Sequence, residues 1–387
     1  MRGSTVNELQ ISRFLKENNR QGGVVCVDGF TDREFDFLLH VLGNHKAVEE
    51  LHINRTDWRG RRSPPQISQL LETIRKLPLR TVIFSGCAGV ELPGIARFLQ
   101  NHPTLTSVEL RLQSGSVSKD IVKALSTIPN IREITLFLCA SAPLGYLISG
   151  SMTLQQLNIF DATPDGFSFK ESHALEFVSA LEEHHNLRSL WIQPSLPLFA
   201  ALKTVHVLAG SQRLQSLQLA FGMVDGPKES IPETAYQDFF FAVASTLSVN
   251  KTLKTFVSYS DIVPNPKARN EILQMLLRNY SLEQISFLGA GEKVDNEWNQ
   301  QVDFFLRLNR IGRGRFLTNQ DHPGRDWLDI FSNKENDLSS LYYFIRSNPS
   351  VCASLLDCMV DKSTLLHDSY DNLSPPSKLT REQNILL

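Results

Sequence analysis

A six-residue phrase recurs along this chain and limits what it can fold into: Val48-Glu-Glu-Leu51-His-Ile53, Leu105-Thr-Ser-Val108-Glu-Leu110, Ile131-Arg-Glu-Ile134-Thr-Leu136, Leu187-Arg-Ser-Leu190-Trp-Ile192 and Leu214-Gln-Ser-Leu217-Gln-Leu219. Each copy is apolar at its first, fourth and sixth places, and weaker copies begin at Leu79, Leu154, Leu253 and Leu282. About nine copies at a mean spacing of roughly 29 residues make a solenoid, because a single unit cannot bury its apolar side and must stack on its neighbours.

The alternation at the end of the phrase has period two, which predicts a short strand with one face buried. The rest of each unit carries helical spacing: Ile121, Val122, Leu125 and Ile128 form one stripe, and Leu175, Val178 and Leu181 another. Before the next phrase come Asn101-His-Pro103, Pro129-Asn130, His184-His-Asn186, Asn250-Lys-Thr252 and Asn279-Tyr-Ser281. These predict helix stops, since Asn tolerates left-handed backbone and Pro cannot continue a helix. Strands set about 5 Å apart and helices about 10 Å apart force such a stack to curve. The expected fold is an α/β solenoid shaped as a horseshoe, with parallel strands on the concave face and helices on the convex face.

Over roughly residues 24 to 317 the phrases resemble the leucine-rich-repeat superfamily, and by unit length its ribonuclease-inhibitor-like class. That family places Asn or Cys after each phrase with a gap of two residues between, a slot matched strictly only by Cys87 and Cys139. Intervals vary from about 23 to about 39 residues, so the register of the copies at Leu154 and Leu253 stays open at this stage. The block from Leu306 to Cys352 resembles a C-terminal module of uncharacterised algal leucine-rich-repeat proteins, a likeness that implies no activity.

The expected organisation is an N-terminal helical cap over residues 1–22, a solenoid of about nine to ten repeats over 23–317, a helical C-terminal module over 318–360 and a disordered tail over 361–387. The net charge of −2 excludes a bulk electrostatic nucleic-acid binder, and no acidic tail is present. No run approaches the roughly 18 apolar residues of a membrane span, and the first residues lack the apolar stretch of a signal peptide. A cytoplasmic or nuclear protein is expected. The five cysteines are few and odd in number, and Cys87 and Cys139, two repeats apart and beyond bridging distance, are read as buried thiols.

No catalytic constellation stands out, and no enzyme, metal or cofactor is expected. Gly289-Ala-Gly291-Glu-Lys293 lacks the spacing and following hydroxyl of a phosphate loop. His184-His185 has no companion ligands and reads as a solvated helix end. Two basic clusters, one with Arg55, Arg59, Arg61 and Arg62 and one with Arg307, Arg310, Arg313 and Arg315, read as a solvated loop and a helix end.

Function is expected on the concave face, which receives the third, fifth and seventh places of each phrase. Phe137, Phe160 and Trp191 fall there on three consecutive strands, with Arg111, Asn158, Gln193, Gln218 and Tyr259 around them. Aromatic residues with a polar amide surround have the composition of an interaction hot spot. The expectation is a non-enzymatic scaffold that binds an unidentified protein or peptide through these eight residues. Nucleic acid and membrane are not expected partners. The resemblance also implies an alternative, since one branch of the ribonuclease-inhibitor-like class activates the small GTPase Ran, though that branch carries an acidic tail. A substrate-recognition subunit of a larger complex is the third expectation, with the C-terminal module as recruiting element.

Overall fold

The computed structural model describes residues 48–54, 64–87, 91–112, 117–138, 140–163, 167–222, 232–260, 262–289 and 296–311, together with Asp36, Phe37, Leu39, His40, Leu42, Arg313, Tyr342 and Arg346. The expected cap and tail, the C-terminal module apart from Tyr342 and Arg346, the Arg55–Arg62 loop, Cys139, the Gly291-Glu-Lys293 stretch and Arg315 lie outside the described residues. The chain divides into two compact units, Met1–Val302 and Asp303–Leu387.

In the first unit every phrase becomes a strand: β1 (Glu50–Asn54), β2 (Thr81–Cys87), β3 (Ser107–Leu112), β4 (Glu133–Leu138), β5 (Gln156–Asp161), β6 (Ser189–Leu196), β7 (Ser216–Phe221), β8 (Thr255–Tyr259) and β9 (Gln284–Leu288). They form one open sheet in sequential order, and every neighbouring pair is parallel. Helices alternate with them: α1 (Pro64–Ile74), α2 (Leu92–Leu99), α3 (Lys119–Ser126), α4 (Gly145–Gly150), α5 (Glu171–Glu183), α6 (Leu198–Gly210), α7 (Glu233–Val249) and α8 (Pro266–Arg278), followed by α9 (Asn296–Ile311). From α1 to α8 each helix packs on the next. This architecture is consistent with a leucine-rich-repeat-like solenoid.

The pairing keeps equivalent places of the phrase side by side. Gln156 lies opposite Ser189 and Thr255 opposite Gln284, which fixes the register of the copies at Leu154 and Leu253. Fourth and sixth places form the inward face: Leu51 and Ile53, Ile134 and Leu136, and Leu190 and Ile192 are all buried. Helix residues close over them, as where the Phe84 and Phe98 rings meet edge to face at 5.8 Å. The inward pattern weakens in the last two strands, where the sixth places hold buried Ser258 and half-buried Phe287.

Two helical expectations need correction. Ile121, Val122, Leu125 and Ile128 are buried as the stripe requires, but Leu175 is 39% exposed. In α5 the buried side is Ala174, Phe177, Val178, Ala180 and Leu181, so Leu175 lies one residue off the stripe, where helical rotation turns it outward. The helix stops also work differently from the sequence expectation. Among the described residues of these stops only Asn101 has left-handed backbone, at φ 54°, whereas Asn250 and Asn279 are extended.

Their side chains do the work instead. Both Asn residues stand three places before the first residue of the following phrase, and both are buried. Asn279 donates through Nδ2 to the carbonyls of Asn250 (3.0 Å) and Leu247 (2.6 Å). Its Oδ1 accepts from the Ser281 and Leu282 amides, each at 2.9 Å. Asn250 repeats the arrangement, donating to the Ser211 carbonyl at 3.2 Å and accepting from the Leu253 amide at 2.8 Å. Ser211 fills the same slot and accepts from the Leu214 amide at 3.2 Å.

His184 belongs to this ladder too, which overturns its expected place at a solvated helix end. It is 8% exposed, and its Nε2 lies 3.0 Å from the Ser151 carbonyl. A carbonyl only accepts, so Nε2 carries the proton. His185 alone of the pair is exposed. His102 occupies the same slot one turn before β3, is wholly buried, and has no hydrogen-bond partner at either ring nitrogen.

Cys87 is buried, with its Sγ donating to the Ser85 carbonyl at 3.9 Å. In the second unit the basic cluster is not uniformly solvated: Arg313 is wholly buried with its guanidinium 5.4 Å from the Phe305 ring centroid, while Arg310 pairs with Asp303 at 3.3 Å.

Candidate functional site

Third, fifth and seventh places form the outward face of the sheet, opposite the helices. Most are half-buried, but Ser85, Thr135, Asn158, Ala220 and Val257 are buried. Strands about 4.8 Å apart leave little room between larger side chains, so small groups on the outward face sink beneath their neighbours.

The centre of this face is a row of rings. In-register pairing sets Phe137 beside Phe160, and their centroids are 4.9 Å apart with planes at 31°. The next step is diagonal. Trp191 lies opposite Asn158 rather than Phe160, and the Phe160 ring leans across to meet the indole edge to face at 4.6 Å. Asn158 makes room by lying low: it is 8% exposed and donates through Nδ2 to the Thr135 hydroxyl at 3.1 Å. Both ring separations fall where aromatic pairs attract beyond simple burial.

The row is bounded by charge at one end and amides at the other. The Arg111 guanidinium stands 5.0 Å from the Phe137 centroid and pairs with Glu109, two residues before it on the same strand face. Gln193, exposed at the other end, accepts through Oε1 from the Asp161 amide at 3.3 Å. Gln218 is paired opposite Trp191 and is half-buried. Trp191 itself is half-buried, with its Nε1 covered and unpartnered.

Seven of the eight expected residues are therefore gathered on β3 to β7. Tyr259 is not: it pairs opposite Ala220 and Leu288, two strands beyond Trp191, and has no ring contact with the row among the described residues.

Two contributors escaped the sequence reading. Glu109 fixes the Arg111 head, and the period-two spacing of the two residues on one strand is the signal that could have found it. Asp161 orders the loop after β5, accepting from the Thr163 amide (2.8 Å), the Thr163 hydroxyl (2.5 Å) and the Phe167 amide (2.7 Å). An Asp bonding a backbone amide two residues on is a recognisable local turn.

The groups with shifted titration lie elsewhere. Burial, reinforced by the nearby Arg75 charge, lowers His102 from 6.5 to about 4, and burial lowers Lys251 from its usual value. Both sit in the turns before strands. Among the described residues no group of three or more His, Cys, Asp or Glu side chains could hold a metal ion, and no helix is long and apolar enough to cross a membrane.

No family model matches this chain. No curated protein matches it either. A solved structure titled as the Leiomodin-1 actin-binding site 2 is similar at 14% identity and a TM-score of 0.34, covering 45% of this chain and 90% of its own. No function of this chain follows from that partial likeness.

Proposed function

We propose that this protein is a non-enzymatic interaction scaffold that binds a protein or peptide on the outward face of its sheet, in the manner of ribonuclease-inhibitor-like solenoids. The observation that carries the proposal is the continuous row from Arg111 through Phe137 and Phe160 to Trp191, held on adjacent strands and left half-exposed. Rigid aromatics lose little conformational entropy on binding, and aromatics and arginine are the residues in which interface energy concentrates. Gln193 and Gln218 supply hydrogen bonds at the margin, Asn158 sets the tilt of the rings from below, and Tyr259 extends the contact toward β8. The unit of one strand and one helix supports the class assignment, and the cytoplasm is the compartment proposed.

The test is an affinity capture from cell lysate with wild type and a Phe160→Ala, Trp191→Ala double variant of matched melting temperature. Proteins retained by the wild type and lost from the variant support the proposal. Identical captured sets from the two would refute it.

A further inference from the structure

The geometry points to a second site, a cavity that takes a small organic carboxylate with an apolar body, on a part of the molecule distinct from the aromatic row. The cavity measures about 760 Å³ and opens between the C-terminal halves of α5 and α6 and the starts of β6 and β7. That volume is within the roughly 300–1,000 Å³ range of small-molecule sites.

Its lining is mixed, with Leu181, Leu190 and Val207 as an apolar floor beside polar Glu182, Thr204 and His206. Its rim carries Arg213. This guanidinium is held by a relay: Nη1 of Arg213 donates to Asn186 Oδ1 at 2.5 Å, and Asn186 Nδ2 donates to the Met152 carbonyl at 2.8 Å. The relay fixes the head of a long side chain that would otherwise be free to move. It uses one N–H and leaves the others available.

The charge is also unspent. Glu182 lines the same cavity, yet no ion pair joins it to Arg213 among the described residues. A positioned guanidinium with free donors matches the two oxygens of a carboxylate, and a hydrocarbon floor behind it matches an apolar body. Neither feature serves the outward face, so the proposal stands or falls independently of the scaffold function.

Phenylacetate and phenylacetamide separate the contributions, since they share shape and differ in charge. Each is titrated into the full chain while protein amide resonances are followed, with wild type, Arg213→Gln and Val207→Phe. The expected result is at least about tenfold tighter binding of phenylacetate by the wild type, in keeping with a charge-assisted pair. Arg213→Gln should erase the preference, and Val207→Phe, which plugs the floor, should weaken both probes. The proposal is overturned if neither probe binds at millimolar concentration, if both bind alike, or if the two variants bind as the wild type does.

Discussion

Acidification should weaken this fold through one residue, His102. The ring is wholly buried, neither nitrogen has a partner, and burial together with Arg75 holds its pKa at about 4 against 6.5 in an exposed chain. The folded value lies below the unfolded one, so the unfolded state binds the proton first as pH falls. The contribution is therefore intact above about pH 6.5, is lost progressively down to about pH 4, and changes no further below that. The gap at roughly 1.4 kcal/mol per pH decade sets a ceiling of about 3 kcal/mol, of which about 1.4 is lost by pH 5.5 and about 2.5 by pH 4.5. The quantity to read is the difference between wild type and His102→Asn, which cancels every pH effect common to both proteins and places at this slot the residue used at Asn250 and Asn279. Urea unfolding of both proteins from about pH 7.5 to 4.5 should show the variant gaining on the wild type by about 2.5 kcal/mol. A difference that stays constant with pH would refute the reasoning.

Other perturbations separate the two faces of the sheet and test the ladder. Leu190→Ala should cost about 2–5 kcal/mol in denaturant unfolding as a core truncation, whereas Trp191→Ala should cost only about 1–2, the loss of its ring contact with Phe160. Equal losses would contradict the assignment of inward and outward faces. Asn279→Ala removes both inter-repeat donations and orphans the Ser281 and Leu282 amides, so about 3 kcal/mol should be lost; a change below about 0.5 would remove the ladder as a source of stability.

The strands were legible because a six-residue phrase with period-two burial leaves one register that keeps its apolar set inside. The uneven spacing left the copies at Leu154 and Leu253 open, and it is the pairing of Gln156 with Ser189 and of Thr255 with Gln284 that puts them in the common register. The ladder was not legible, since Asn, Ser and His share no chemistry a pattern search would group, and what unites them is position three before the phrase. The aromatic row could be placed on adjacent strands from alternation alone, but not the lean of Phe160 over Asn158 toward Trp191, which depends on which side chains lie low. Leu175 misled for a similar reason: in a short amphipathic helix, being next to the buried stripe in sequence does not put a residue on it. The cavity gathers Leu181, Val207 and Arg213 from separate elements, and no local motif announces such a meeting.

The ladder also gives the stack a grain. Asn279 reaches back to the Asn250 carbonyl, Asn250 to Ser211 and His184 to Ser151, so in each tie the donor belongs to the later repeat and the acceptor to the earlier one. Peeling repeats away from the C-terminal end uncovers carbonyls that water can solvate. Peeling from the N-terminal end instead uncovers side-chain N–H groups, from which water accepts. The two faces of any shortened stack are therefore chemically opposite, with acceptors at the C-terminal end and donors at the N-terminal end, so two copies meeting head to tail could remake the tie whereas two like ends could not.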